Sequence, residues 1–205
     1  HLLRASGGCH ASRASVNNHL GVPLTLAALP AAPVPAIQEI GMNAPGEITA
    51  LSSLARPDIA IITRIADSHA GFFDSLEAIA AAKAEIFDGL RAGGTAILNR
   101  DDAFFEMLAE HARNAGAGRI VTFGTDAEAD FRLCDTSRGE DHMTVTASLN
   151  GASLSFTLGM RGSHWAMNVM AVLAALDALG LDARKAAGHL HDFNALPGRG
   201  AVSKG

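Results

Sequence analysis

Lys83 stands inside an apolar stripe. Leu76, Ile79, Ala80, Lys83, Ile86, Phe87 and Leu90 recur at helical spacing on one face. Such a lysine either snorkels from the edge of the face, methylenes packed and ammonium in water, or faces a site where desolvation lowers its pKa and makes the amine reactive. Glu39 interrupts a short apolar run near its carboxyl end, and the loop from Gly41 to Glu47 follows directly. In open α/β sheets that edge is where ligands bind, so Glu39 reads as an ordinary strand-end carboxylate or as a metal ligand. His69 follows a second such run, with Asp67 and Ser68 before it. A carboxylate and an imidazole on neighbouring strand ends can bind a divalent cation; a loop histidine can equally be a surface residue. Asn17 and Asn18 precede Gly21-Val22-Pro23-Leu24 and read as turn formers or as polar contacts. His164 to Asn168 opens a helix, where free N–H groups favour an anion or a polar ring. Arg199, between Gly198 and Gly200, is free to reach a phosphate; a solvated loop arginine is the alternative.

The elements that must carry these residues alternate. Ala36 to Met42 reads as a short buried strand, with Glu39 inside it. Asp58–Thr63 is a β-branched run bounded by Pro57, Thr95–Leu98 follows Gly93-Gly94, and Arg119–Phe123 follows Gly116 and Gly118; all three read as buried strands. A helix is expected over 75–90, with Asp74 as its cap and Glu77 completing a capping box. Another is expected from about Asp102 to Asn114, ending at Gly116. Strand–helix–strand alternation implies a parallel sheet with helices on its faces. The pattern then changes. Met143–Leu149 and Ser153–Leu158 alternate apolar and polar residues around Asn150-Gly151, a strong hairpin signal. The expected fold is therefore α/β: a mostly parallel sheet flanked by helices, with a small antiparallel sheet appended over about 130–159. Two helices, about 165–179 and 182–192, close the chain. Residues 1–35 read as irregular.

The 205 residues suffice for one sizeable domain. With 48% hydrophobic and 18% charged residues the balance is globular. The net charge of -5, with nothing basic clustered, argues against a nucleic-acid partner. Cys9 and Cys134 stand far apart and outside any metal-ligand spacing, which points to a reducing cytoplasm. No apolar run approaches the roughly 20 residues of a membrane span, and no signal peptide is visible at His1-Leu2-Leu3-Arg4.

Taken together, the motifs resemble those of the Mur ligase family, and most of all its D-alanyl-D-alanine-adding members. Asn17-Asn18 through Leu26 resembles N-N-x-x-G-x-P-L-T-L, and Glu39 through Ile48 resembles E-x-G-x-N-x-x-G-E-I. His69 through Ser75 is similar to H-x-x-x-F-G-S, Ala82–Phe87 to A-K-x-E-I-F, Leu98–Asp102 to L-N-x-D-D, and Pro197-Gly198-Arg199 to P-G-R. The motifs stand in family order along nearly the whole chain.

The resemblance implies an ATP-dependent amide ligase of peptidoglycan synthesis. ATP phosphorylates the carboxylate of UDP-N-acetylmuramoyl-tripeptide, and the amine of D-alanyl-D-alanine attacks the acyl phosphate. It implies Glu39, His69 and a carbamylated Lys83 as ligands of Mg2+ and as the catalytic set. Asn17 and Asn18 would lie near the phosphates and the acyl substrate, His164 and Asn168 would border the adenine, and Arg199 would approach the ATP phosphates. Asn99 and Asp102 would act at the nucleotide. A monomer without membrane insertion is expected.

Residues 1–200 would be the central ATP-binding domain and 201–205 the start of a linker to a carboxy-terminal domain. The family's G-x-x-G-K-[ST] phosphate loop is expected just upstream of His1, outside this chain, so the polypeptide by itself is not expected to turn over. Three positions depart from the pattern: Trp165 follows His164 where an asparagine is common, Asp74 replaces the glycine of F-G-S, and Arg64 stands where asparagine is frequent. Alternatives are another ligase of the superfamily, such as one adding the third peptide residue or one resembling folylpolyglutamate synthetase, and a non-catalytic nucleotide-binding module.

Overall fold

The computed structural model describes residues 2–5, 7–12, 16–32, 34–66, 73–160 and 162–193. The chain divides into two units, Leu3–Val121 and a second formed mainly by the residues from Thr122 onward.

The amino-terminal stretch, expected to be irregular, is built from small elements. Helix α1 spans Leu2–Ala5, strand β1 is His10–Ala11, and helix α2 is Gly21–Ala27. β1 pairs in parallel with β2, Ala36–Ile37. The buried strand expected to continue to Met42 is not formed. β2 ends at Ile37 and is exposed, and Gln38–Met42 is irregular. The cause is a competing partner: the amide of Gly41 donates to the carbonyl of Asn17 at 2.8 Å, which holds this segment against a loop rather than a neighbouring strand.

Helix α3, Glu47–Ala55, buries Ile48, Leu51 and Ser52. Strand β3, Ile59–Ile62, pairs in parallel with β4, Thr95–Asn99, from Ile59 opposite Thr95 to Ile62 opposite Leu98. Between them lies α4, Leu76–Ala84, which tightens into a 3₁₀ turn over Glu85–Gly89. Its cap is Ser75, whose hydroxyl accepts from the amide of Ala78 at 3.1 Å. The proposed Asp74–Glu77 capping box is therefore displaced by one residue, because Ser75 takes the extended cap conformation. Leu76, expected in the apolar stripe, is 42% exposed, whereas Ile79, Ala80, Phe87 and Leu90 are buried. Helix α5, Phe105–Asn114, starts three residues later than expected and buries Phe105, Leu108, Ala109 and Ala112. One apolar cluster joins these elements: Met42 before α3, Ile48 of α3, Ile62 of β3, Ile79, Ala80 and Ala82 of α4, Phe87, Leu98 of β4 and Leu108 of α5.

Strand β5, Arg119–Gly124, leads into the second unit, where it pairs in parallel with β6, Phe131–Arg138, at Phe123 opposite Phe131. The short connection is held by Asp130, whose carboxylate accepts from both the amide and the hydroxyl of Thr122 at 2.8 Å. β6, β7 (Met143–Leu149) and β8 (Ala152–Leu158) then run antiparallel. The turn between β7 and β8 is Asn150-Gly151 with φ of 50° and 82°. Positive φ at both central residues defines the turn that matches strand twist, and glycine meets it without steric cost. The strand order is β3-β4-β5-β6-β7-β8, a mostly parallel sheet with an antiparallel end, as expected. Along β7 the burial alternates residue by residue, as period-two patterning requires. Helix α6, Ser163–Ala178, packs on β6. The last expected helix is two pieces, α7 over Ala183–Ala187 and a 3₁₀ turn over Leu190–Asp192. Among the described residues, no helix is long and apolar enough to cross a membrane.

Candidate functional site

Asn17, Asn18, Glu39, Lys83, Asn99 and Asp102 all belong to the unit Leu3–Val121. His69 and Arg199 lie outside the described residues. His164 and Asn168 belong to the other unit.

Asn17 and Glu39 come together. Asn17 Nδ2 donates to Glu39 Oε1 at 2.9 Å, across 22 residues of sequence. Gly41 makes the approach possible: a Cβ there would sit 2.8 Å from Asn17 Nδ2 and 2.9 Å from its Cγ, closer than non-bonded atoms tolerate. Glu39 is exposed, and its second carboxylate oxygen has no hydrogen-bond donor among the described residues. The adjoining Gln38 Oε1 is buried and equally lacks a donor among them.

Asn18 works differently. Its Oδ1 accepts from the amides of Leu20 at 3.1 Å and Gly21 at 2.9 Å, while its carbonyl accepts from Val22 at 3.0 Å. These bonds hold the turn that leads into α2.

The Glu39 loop ends at Gly46, where α3 begins, and Glu85 secures that end. Its two carboxylate oxygens accept from the amide of Gly46 at 2.7 Å and of Thr49 at 3.1 Å, satisfying donors that a helix start otherwise leaves to water. Within the loop, Glu47 Oε2 accepts from the amide of Asn43 at 2.7 Å. Ser52 donates to the carbonyl of Glu85 at 3.1 Å, so α3 and the 3₁₀ turn after α4 are fastened side by side. Lys83 sits two residues before Glu85. It is half-buried, and among the described residues its ammonium makes no hydrogen bond or ion pair. Desolvation lowers its pKa from the ordinary 10.5, since burial disfavours the charged form.

Asn99 and Asp102 also meet, at the end of β4. Asn99, 8% exposed, donates through Nδ2 to the carbonyl of Thr63 at 3.2 Å and accepts from the amide of Asp101 at 3.0 Å. Asp102 accepts from the amide of Ile65 at 2.8 Å and of Phe104 at 3.0 Å. Both fix the backbone that follows β3.

In the other unit, His164 and Asn168 are exposed one turn apart at the start of α6, and Trp165 is half-buried, its ring 5.2 Å from that of His164. Gly41 and Glu85 went unremarked as individual residues in the sequence reasoning. The signal for both was present: each occupies a motif position beside a residue that was singled out.

Comparison with known proteins settles the family. Residues 1–176 match the Mur ligase middle domain. The chain belongs to the Mur ligase family. It is similar to the UDP-N-acetylmuramoyl-tripeptide–D-alanyl-D-alanine ligase of Bacillus subtilis (strain 168), with 39% identity over 168 residues, covering 81% of this chain and 34% of that protein. To the ligase of the same name from Escherichia coli (strain K12) it is 33% identical over 204 residues, covering 97% of this chain and 43% of the relative. Its fold is similar to a crystal structure of MurF from Acinetobacter baumannii, with a TM-score of 0.88 and 26% identity over 96% of this chain and 42% of that one. The chain thus spans less than half the length of these three relatives.

Among the described residues no cluster of three or more His, Cys, Asp or Glu side chains is placed to hold a metal ion, so Glu39 stands as a single donor, suited to an ion that takes its other ligands elsewhere. Mg2+ takes hard oxygen ligands, and the Glu39 carboxylate offers an oxygen free of donors among the described residues. The Lys83 amine lies where desolvation lowers its pKa.

Proposed function

We propose that this Mur ligase chain is the ATP-handling middle part of an enzyme joining D-alanyl-D-alanine to UDP-N-acetylmuramoyl-tripeptide. The observation that carries the reading is Lys83: half-buried, unpaired among the described residues, and with its ammonium disfavoured by desolvation. A reactive lysine needs its neutral form. The uncharged Nζ attacks the carbon of carbon dioxide, a C=O electron pair moves to oxygen, and the displaced proton passes to water. A carbamate anion then stands where the sequence has a cation.

Glu39, His69 and the modified Lys83 would hold Mg2+, which neutralises charge on phosphoryl oxygens when bound. The tripeptide carboxylate takes the γ-phosphoryl group of ATP and ADP departs. The amine of D-alanyl-D-alanine attacks the acyl carbon, and phosphate leaves as the amide forms. Asn17 and Asn18 would border the phosphates and the acyl substrate, and Arg199 would approach the ATP phosphates. His164 and Asn168, one turn apart on an exposed helix start, would border the adenine. Asn99 and Asp102 would act at the nucleotide through the Thr63–Ile65 backbone they hold. The free thiols of Cys9 and Cys134 agree with a cytoplasmic reaction, and the enzyme is taken to act as a monomer.

The test is phosphate release by the full-length protein. It should depend on D-alanyl-D-alanine and rise with bicarbonate in carbon dioxide-depleted buffer. Lys83→Ala should remove most turnover while the circular dichroism spectrum is unchanged, since alanine suits this helix. No stimulation by the dipeptide, or near-normal turnover of the variant, would overturn the reading.

A further inference from the structure

The geometry points to Asn17 and Gly41 as a positioning pair that aims the Glu39 carboxylate, an inference that rests on reading Glu39 as a cation ligand. Glu39 is exposed and lies in an irregular segment, and an exposed glutamate loses appreciable rotamer entropy when it is held in one geometry. Three contacts remove that freedom beforehand. The Asn17 amide holds Oε1 at 2.9 Å, the Gly41 amide holds the Asn17 carbonyl at 2.8 Å, and the Asn17 side chain lies over the face of Gly41 where a Cβ would stand. A donor on one carboxylate oxygen leaves the other to face a cation, the usual service of groups behind a metal ligand. Asn17 does this without adding charge. The conformation of Gly41 is not one that requires glycine, since its φ lies outside the left-handed region. What requires the missing side chain is the approach of Asn17.

The experiment measures Mn2+ binding to the chain by water-proton relaxation, with thermal unfolding recorded in parallel. Glu39→Gln should weaken binding. Asn17→Ala should weaken it about tenfold, and Gly41→Ala, which removes no polar group, should do the same by pushing the Asn17 amide aside. In the Glu39→Gln background, Asn17→Ala should have no further effect on Mn2+, because its action runs through Glu39. If Glu39→Gln weakens binding while Asn17→Ala and Gly41→Ala shift only the unfolding temperature, the pair is structural and the inference fails alone. An equal loss from Asn17→Ala in both backgrounds also overturns it. If no Glu39-dependent Mn2+ binding exists, the metal reading fails and takes the inference with it.

Discussion

Between Thr122 and Leu158 each strand pairs with the next in sequence. The polar contacts that shape its turns are short in range, as where Asp130 holds Thr122 eight residues away. Between Leu3 and Val121 the side chains that shape loops find partners far off: Asn17 with Glu39 across 22 residues, Asp102 with Ile65 across 37, and Glu85 with Gly46 across 39. The first region spends its sequence on local alternation and one tight turn. The second uses carboxylates and amides as long-range fasteners: Asp102 and Glu85 take backbone amides, and Asn17 takes the Glu39 carboxylate. The residues proposed to act on phosphates and metal are mostly in the second region. A loop fixed by distant partners can present a side chain that a continuous strand would have committed to its ladder.

The largest effect that separates the regions is expected at Glu85. Glu85→Ala removes two hydrogen bonds to a charged acceptor at the start of α3, so it should destabilise the protein by about 1.5–3 kcal/mol. Hydrogen exchange should accelerate at Gly46 and Thr49, nearly 40 residues from the substitution. Exchange confined to residues near position 85 would show that the fastener carries no load.

A smaller and strictly local effect is expected at the β7–β8 turn. Asn150 adopts φ of 50°, which asparagine tolerates and a β-branched residue does not. Asn150→Val should cost about 1–2 kcal/mol, with faster exchange in β7 and β8 and none in the loop from Gly41 to Gly46. A loss of protection in that loop would break the contrast between local and long-range construction.

The smallest effect concerns Lys83 and pH. Its folded-state pKa lies below the unfolded value of 10.5. Between those two values the unfolded chain binds more protons, so the contribution of Lys83 to stability rises with pH across that window. Below it both states are charged, and the folded state bears the full desolvation cost. Lys83→Met, similar in shape and uncharged, should therefore be more stable than the parent below the window, with the gap closing as pH approaches 10.5. Unfolding temperatures across the alkaline range test this, and a gap that grew with pH would contradict it.

Legibility followed the range of the interactions. The β7–β8 hairpin was plain in the sequence because alternation and Asn150-Gly151 are properties of neighbours. β3, β4 and β5 were found because buried parallel strands are continuous apolar runs. The strand expected to continue through Met42 was misread because Ile40 and Met42 are apolar for another reason. Met42 joins the core cluster and Ile40 packs against it, without forming a ladder. The cap of α4 was misplaced by one residue, since Asp74 and Ser75 both suit a cap and only the backbone conformation chooses between them.

The sequence by itself determined the order β3-α4-β4-α5-β5, the β7–β8 hairpin, most of the apolar residues packed around Lys83 and the chemical types gathered in the motifs. These follow from periodicity and from residues whose backbone preferences are intrinsic. Only the tertiary structure decided that Asn17 reaches Glu39, that Gly41 is small for that contact, and that Glu85 closes the same loop from 39 residues away. A hydrogen bond between distant residues depends on where packing brings two backbones. The residue types of those partners, though visible in the sequence, record what they can bond and not with whom.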